Sequence, residues 1–253
     1  MLNRILSRLS FSQLSFSTYM ACQLKFRRRY VEQLYWPQVM SEEVELGQAF
    51  HTLSERYYLT GEMDNYPGLL GQWGRNLKEF YPYDSSLEIF PEQQVRFNGD
   101  IRLVAKYDLL VNGEKLLIYD WKTTKKIKRS YYENSLQTLL YRYLMAEAGG
   151  EYLGRIIKPR DIIMCYWNPS FPREPLYLPY DEIKYRRDGK FLRDIINEIM
   201  QKPWDEFFPV TDERICSYCE YSPICHGKPG EGETDFDAED LSLSWDDIDE
   251  FLV

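Results

Sequence analysis

Two asparagine-glycine breaks, Asn98-Gly99-Asp100 and Asn112-Gly113-Glu114, constrain this chain more than any other feature. Asn-Gly supplies the positive backbone angles that tight hairpin turns need. The residues around the breaks alternate or run apolar over 89–97, 101–111 and 115–121, which predicts three consecutive antiparallel strands. A helical pattern over 131–148 follows, with Leu136, Leu139, Leu140, Tyr143 and Leu144 on one face and Gly149-Gly150 as its stop. Next come an apolar run at 161–167, read as a buried strand, a short strand at 176–180 and a helix over 188–201. Ahead of the strands, residues 12–35, 42–59 and 69–80 read as helices, with Pro37 and Tyr66-Pro-Gly as interruptions. Leu2, Ile5, Leu6 and Leu9 repeat at helical spacing too. This order predicts an α/β fold: a mixed central β-sheet flanked by helices, behind a helical N-terminal lead.

Composition sets the outer limits. The 253 residues are 44% apolar and 28% charged, a globular balance that excludes a wholly disordered chain. No run approaches the roughly 18 apolar residues of a membrane span, and the N-terminus lacks the apolar stretch of a secretory signal. The expected location is cytoplasmic, with no membrane partner.

The net charge of −9 is uneven. Residues 231–253 hold ten acids and no Lys or Arg, so the rest of the chain is nearly neutral. We expect a single domain over 1–228 and an acidic, disordered tail over 229–253. That tail also carries Trp245 and Phe251, so it either keeps the chain soluble, mimics DNA charge and competes for a basic groove, or docks on a partner as a short amphipathic segment. Two basic groups interrupt the neutral body: Lys25, Arg27, Arg28 and Arg29, then Lys122, Lys125, Lys126, Lys128 and Arg129. Each is read either as a solvated face or as a phosphate-binding patch.

Chemistry concentrates in Val104-Ala-Lys-Tyr-Asp108 and Leu116-Leu-Ile-Tyr-Asp120-Trp-Lys122. Strands joined by a short turn lie about 4.8 Å apart, so Asp108 and Asp120 can converge on one cation. Asp120 and Lys122 are two apart and share a strand face. A hard divalent ion takes one or two protein carboxylates beside a substrate phosphate, and a neighbouring ammonium offsets charge in the transition state. Taken alone, an Asp-x-Lys pair is equally a surface hairpin with an ion pair.

Together with its surroundings, the stretch resembles the PD-(D/E)XK nuclease superfamily, in particular its RecB-like branch with the CRISPR-associated and AddAB-type iron–sulfur nucleases. The likeness runs from about Ser12 to His226. Gly47-Gln-Ala-Phe-His51 matches the family's Gly-x-x-x-His, Asp108 the second-motif acid, Asp120-Trp-Lys122 the (D/E)-x-K element, and Gln137-Thr-Leu-Leu-Tyr141 the Gln-x-x-x-Tyr helix. Glu92 is the candidate for the glutamate on the preceding strand, with Glu88 nearby. Ala105 stands at the family's glycine, a departure that removes no catalytic atom. The resemblance implies a restriction-endonuclease-like core and a nuclease that uses Mg²⁺ or Mn²⁺. It assigns His51, Asp108 and Asp120 to the metal, and Asp108, Asp120, Lys122, Glu92, Gln137 and Tyr141 to catalysis. It further implies DNA, as single strands or ends, as the partner of Lys25, Arg27, Arg28, Lys125, Lys126, Lys128 and Arg129. Protein partners in a repair, recombination or CRISPR-type complex are implied too. A weakly catalytic or non-catalytic DNA-binding adaptor is the alternative.

Five cysteines complete the reading: Cys22, Cys165, Cys216, Cys219 and Cys225. Clustered thiols in a reducing compartment point to metal rather than disulfides. The resembling branch implies a [4Fe–4S] cluster on Cys22, Cys216, Cys219 and Cys225, Cys22 lying in a Tyr-x-x-Cys-x-x-x-Phe context with Gln23 where the family has proline. Zinc on Cys216, Cys219, Cys225 and His226 is the rival. Cys165, in an apolar run, is a packing residue.

Overall fold

A computed structural model describes residues 2–35, 41–123, 126–217 and 219–227 of the protein. The expected acidic tail and Lys125 lie outside the described residues.

Short polar side chains start the helices where the apolar periodicity begins. The lead consists of α1 (Leu2–Leu6), α2 (Gln13–Ala21) and α3 (Gln23–Phe26), which runs into a π-helical turn over Arg27–Val31. Ser12 caps α2 in a reciprocal box with Ser15. Ser41 caps α4 (Glu42–Thr60), whose first turn carries Glu42, Glu43 and Glu45 against the positive end of the helix dipole. Gly61, at φ 75°, ends α4 in the left-handed conformation that glycine adopts without steric cost. An amphipathic α5 (Gly68–Phe80) follows.

The three predicted strands are β1 (Glu88–Asn98), β2 (Arg102–Asn112) and β3 (Leu116–Trp121), each antiparallel to the last. The chain then crosses through α6 (Arg129–Tyr132) and α7 (Leu136–Leu153) to β4 (Ile162–Trp167), which lies parallel to β3. An antiparallel β5 (Leu176–Pro179) completes a five-stranded mixed sheet in the order β1-β2-β3-β4-β5. The chain closes with α8 (Glu182–Gln201), capped by Asp181, and the short α9 (Glu213–Ser217) and α10 (Ser222–His226).

Two expectations about helix α7 and its neighbour need correction. Gly149-Gly150 does not stop α7, which runs on to Leu153 and ends at Gly154, φ 64°. The pair instead permits close approach: a Cβ on Gly150 would meet the Arg155 carbonyl oxygen at 2.7 Å. Helix α8 begins six residues before the expected start, because Asp181 accepts the Lys184 N–H at 2.8 Å and fixes the first turn.

The sheet separates two apolar layers. Helices α7 and α8 and the lead pack on one face, around Leu140, Leu144, Ile118 and Tyr166. Helices α4 and α5 cover the other, around Phe50, Trp73, Trp121 and Trp167. Along β3 and β4 the faces alternate regularly, whereas in β1 and β2 they switch. Val95 and Phe97, and opposite them Ala105 and Leu103, face the α7 layer with odd numbers. Beyond the switch Phe90 and its partner Leu110 face that layer with even ones. The switch falls on Glu92 and Asp108, where Glu92 takes the unusual φ of 50°. The register keeps the same offset on both sides, from Pro91↔Leu109 to Gln93↔Tyr107, while Glu92 and Asp108 themselves are not paired, so both strands shift together.

The lead and the C-terminal segment are stitched together. Leu24 N–H donates to the Phe208 carbonyl at 3.1 Å, Tyr221 OH donates to the Leu34 carbonyl at 2.5 Å, and Lys25 pairs with Glu220 at 2.7 Å. Arg29 approaches the same carboxylate at 3.7 Å, and both members of the Lys25–Glu220 pair are buried. Removing one partner of a buried pair strands the other charge, at a cost of about 3–5 kcal/mol. Glu220→Ala should therefore lower unfolding stability in urea by about 3 kcal/mol, while Lys25→Met with Glu220→Leu recovers most of it. Equal stability of the single variant and the parent would contradict the pairing.

Candidate active site

The candidate residues meet where β2 and β3 part. The β2–β3 ladder runs only from Asn112↔Leu116 to Leu109↔Tyr119. Past it, the first half of β2 takes Phe11 as its neighbour, through Phe11 N–H to the Arg102 carbonyl (2.8 Å) and Val104 N–H to the Phe11 carbonyl (3.1 Å). Asp108 and Asp120 stand on either side of this fork. Asp108 Oδ2 accepts the Trp121 N–H at 2.6 Å, filling with a side chain the place where the next ladder bond would fall.

Helix α4 brings His51 to the fork, its Nδ1 lying 3.4 Å from Asp108 Oδ1 and 3.8 Å from Glu92 Oε1. Ligand atoms of His51, Glu92 and Asp108 all lie within 4.8 Å of one another, and among the described residues this is the one such group of three. Glu92 Oε1 is buried without a hydrogen-bond donor, and Oε2 pairs with Lys106 at 2.9 Å. Glu88, the other candidate glutamate, is exposed at the far end of β1 and bonds Asn112. Glu92 places its carboxylate here from a backbone with φ of 50°, and strain of this sort gathers at functional positions.

Across the fork Asp120 is buried, with Oδ1 3.0 Å from Lys122 Nζ and Oδ2 accepting the Gln137 amide at 2.6 Å. Gln137 lies in the first turn of α7, whose start is fixed by the Ser135 cap. Tyr141, one turn further, is buried against the Tyr107 ring at 4.8 Å. Lys122 is not part of an exposed basic run: it is 3% exposed, with its N–H on the Trp167 carbonyl at 2.8 Å and its ammonium 5.8 Å from the Tyr166 ring.

Tyr166 and Lys106 are site neighbours that the sequence did not single out. Tyr166 is the β4 partner of Asp120 and is held through its hydroxyl by Thr138 at 2.7 Å. Helix α7 thereby fixes Asp120 through Gln137, and the ring beneath Lys122 through the next residue. The i, i+2 alternation around Asp108 was the available signal for Lys106; nothing local marks Tyr166.

The basic groups divide. Lys25 is buried on Glu220, and Arg27 pairs with Glu32 at 2.8 Å and stacks over Trp204 at 4.7 Å. Arg28 is partly buried, so the first group is largely spent on internal contacts. Lys126, Lys128 and Arg129 are on or near the surface beyond the Asp-x-Lys strand, Lys126 pairing with Glu174 at 2.7 Å and Arg129 bonding the Tyr177 carbonyl at 3.3 Å.

All five cysteines are free thiols. Cys22 caps α3, its sulfur accepting the Lys25 N–H at 3.4 Å, and Cys219 lies on the segment tied to that helix. Burial pushes the Cys219 thiol up to about 11, and the nearby Cys22 thiol adds to the rise. Cys216 and Cys219 share a turn (Cys219 N–H to Cys216 carbonyl, 3.1 Å), and Cys225 is exposed on α10. Cys165 is fully buried in β4, as expected of a packing residue.

Electrostatics at the fork favour a cation. Burial alone would lower the His51 value, but the Asp108 and Glu92 carboxylates override it and hold the imidazole up to about 10. Burial raises Asp108, yet His51 and the Trp121 N–H bring it below the usual carboxylate value. Asp120 is pushed up to about 7, by burial first and then by Asp108, against the opposing pull of Lys122. Two carboxylates, a third across the fork and an imidazole are a donor set that suits Mg²⁺ or Mn²⁺. At pH 7, His51 therefore holds a proton, and burial makes the Asp120 carboxyl far easier to protonate than an ordinary aspartate. Both groups have raised values, so protonation is favoured below them and ligation above. Mn²⁺ binding should release about one to two protons at pH 7, and apparent affinity should climb roughly tenfold per proton per pH unit between 6 and 8. Calorimetry in buffers of different ionisation enthalpy reads the number directly; a proton-neutral binding event would contradict the assignment of His51.

Comparison with known proteins agrees with this geometry. The model of the PD-(D/E)XK nuclease superfamily matches residues 8–72 and 68–226. A crystal structure named "Putative exonuclease" from Eubacterium rectale superposes with a TM-score of 0.53, at 8% identity, over 95% of each chain. The structure of SSO0001 is looser, at a TM-score of 0.41 and 17% identity over 90% of this chain and 92% of that one. No curated protein matches the sequence. No helix among the described residues is long and apolar enough to cross a membrane. The family match spans most of the chain, both halves of the fork included, and the protein belongs to the PD-(D/E)XK nuclease superfamily.

Proposed function

We propose that the protein is a divalent-metal-dependent deoxyribonuclease that hydrolyses phosphodiester bonds of single-stranded DNA or DNA ends. The observation that carries this reading is the convergence of His51, Glu92 and Asp108 within 4.8 Å, beside the buried Asp120–Lys122 pair.

In this reading His51, Glu92, Asp108 and Asp120 hold Mg²⁺ or Mn²⁺, which when bound supplies Lewis-acid polarisation of a phosphoryl oxygen and a lowered pKa for an attacking water. The remaining work falls to side chains. Lys122 presents a fixed ammonium to the negative charge that grows on the phosphoryl group, and a dry, pre-oriented charge is worth far more than one in water. Gln137 holds the Asp120 carboxylate in one orientation, so no reorganisation is needed as charge develops. Lys106 neutralises the outer oxygen of Glu92, which keeps three acids tolerable in one place. Lys126, Lys128 and Arg129 continue from this centre along the surface and suit a phosphate backbone.

A second element of the proposal follows from the family resemblance: Cys22, Cys216, Cys219 and Cys225 hold a [4Fe–4S] cluster that fastens the lead to the C-terminal segment. The two segments that carry these cysteines are stitched by hydrogen bonds, Leu24 N–H to the Phe208 carbonyl and Tyr221 OH to the Leu34 carbonyl. A brown protein with matching iron and sulfide content is expected; zinc instead would move the assignment to Cys216, Cys219, Cys225 and His226.

Labelled single-stranded DNA incubated with the protein and Mn²⁺ tests the activity. Parent protein should degrade it, and Lys122→Ala should lower the rate about a hundredfold or more at saturating Mn²⁺. Equal degradation by both removes Lys122 from the chemistry. No degradation by the parent favours the adaptor reading.

A further inference from the structure

The loop that leaves β4 has a feature the chemistry above does not use. Residues 168–174 emerge from the carbonyl that holds Lys122, since Lys122 N–H donates to Trp167 at 2.8 Å. The loop is braced from several sides. Trp73 Nε1–H donates to Ser170 Oγ at 3.0 Å, Asn76 Nδ2 to the Pro169 carbonyl at 2.7 Å, and Trp167 Nε1–H to the Pro172 carbonyl at 3.1 Å. Within it, Phe171 N–H donates to the Asn168 carbonyl at 2.9 Å and Glu174 N–H to the Phe171 carbonyl at 3.0 Å. At its tip the Phe171 side chain is 39% exposed, and Lys126 Nζ stands 5.7 Å from the ring.

A single exposed phenylalanine needs no explanation by itself. This one is held on a pre-organised loop beside the Asp-x-Lys strand, with a cation at its face and Lys128 and Arg129 next in line. We propose that Phe171 and Lys126 form a stacking subsite for an unpaired nucleobase of the strand whose phosphate reaches Lys122. The proposal rests on the nuclease reading and adds its selectivity. Base–aromatic stacking is tolerant of sequence because every base has a π-face, and the neighbouring cations follow the backbone. A base inside a duplex has both faces occupied, so the subsite favours single strands. The exposed Lys126–Glu174 pair at 2.7 Å is screened by solvent and opens readily to a phosphate. Because the loop is already ordered, binding incurs little ordering cost.

Fluorescence anisotropy without added divalent metal separates binding from cleavage. The probes are labelled oligothymidylate and an abasic strand of equal length. Phe171→Ala should weaken oligothymidylate binding about fivefold to thirtyfold, Phe171→Trp should restore it, and the abasic strand should bind all three proteins alike. Thermal midpoints should coincide, since the ring contributes little to the core. Unchanged oligothymidylate affinity in Phe171→Ala, or an equal loss on the abasic strand, would overturn the subsite. If Mn²⁺-dependent cleavage persists in that case, only the subsite falls. If the parent neither binds nor cuts any strand, the nuclease reading falls and the subsite with it.

Discussion

The carboxylate of Asp108, accepting the Trp121 N–H at 2.6 Å, is the contact on which the rest of the site depends. A backbone donor at the end of a ladder needs a partner when it is shielded from water. By supplying one, Asp108 lets β2 and β3 separate without leaving an orphaned group, and it is anchored at the fork by the same bond. His51 and Glu92 then have a fixed oxygen to gather around. Asp120, one residue before that donor, is held at a defined distance from the group.

Opposed charges explain why so many ionisable side chains persist here. Asp108, Asp120 and Glu92 would repel one another if left alone, and the rise of Asp120 to about 7 records that tension together with its burial. Lys122, Lys106 and His51 relieve it one acid each, at 3.0, 2.9 and 3.4 Å. Three acids meet three cations, and a divalent ion that displaces the imidazole proton leaves the site one charge positive, which suits an anionic phosphate. Low local dielectric strengthens both the repulsion and its relief.

Much of the sheet was legible in the sequence because its signals are local. The Asn-Gly breaks marked both hairpins, although neither Gly99 nor Gly113 takes the positive φ expected of such turns; the Asp181 cap that starts α8 went unread. Among the site residues, the spacing of two put Asp120 and Lys122 on one strand face, whereas His51, Glu92, Gln137 and Tyr141 were singled out only by the resemblance to a known family. What stayed hidden depends on distant partners. Lys25 and Arg27 look like surface charge until Glu220 and Trp204, near the other end of the chain, fold over them. Gly149-Gly150 looks like a stop until the Arg155 backbone is seen to pass against it. Tyr166 is an ordinary buried aromatic in sequence, and only the β3–β4 register puts it beside Asp120.

The paired face switch at Glu92 and Asp108 has an outcome for how such a hairpin can vary. Each strand presents opposite sides to the helices before and after that point, yet the rungs on either side keep one offset across the unpaired Glu92 and Asp108. Dropping or adding one residue on a single strand would turn half of its apolar set outward and slide its acid out of the fork. Length changes in this ribbon are thus tolerable only in the Asn-Gly turns or as matched edits on both strands, which leaves the turns as the region free to drift.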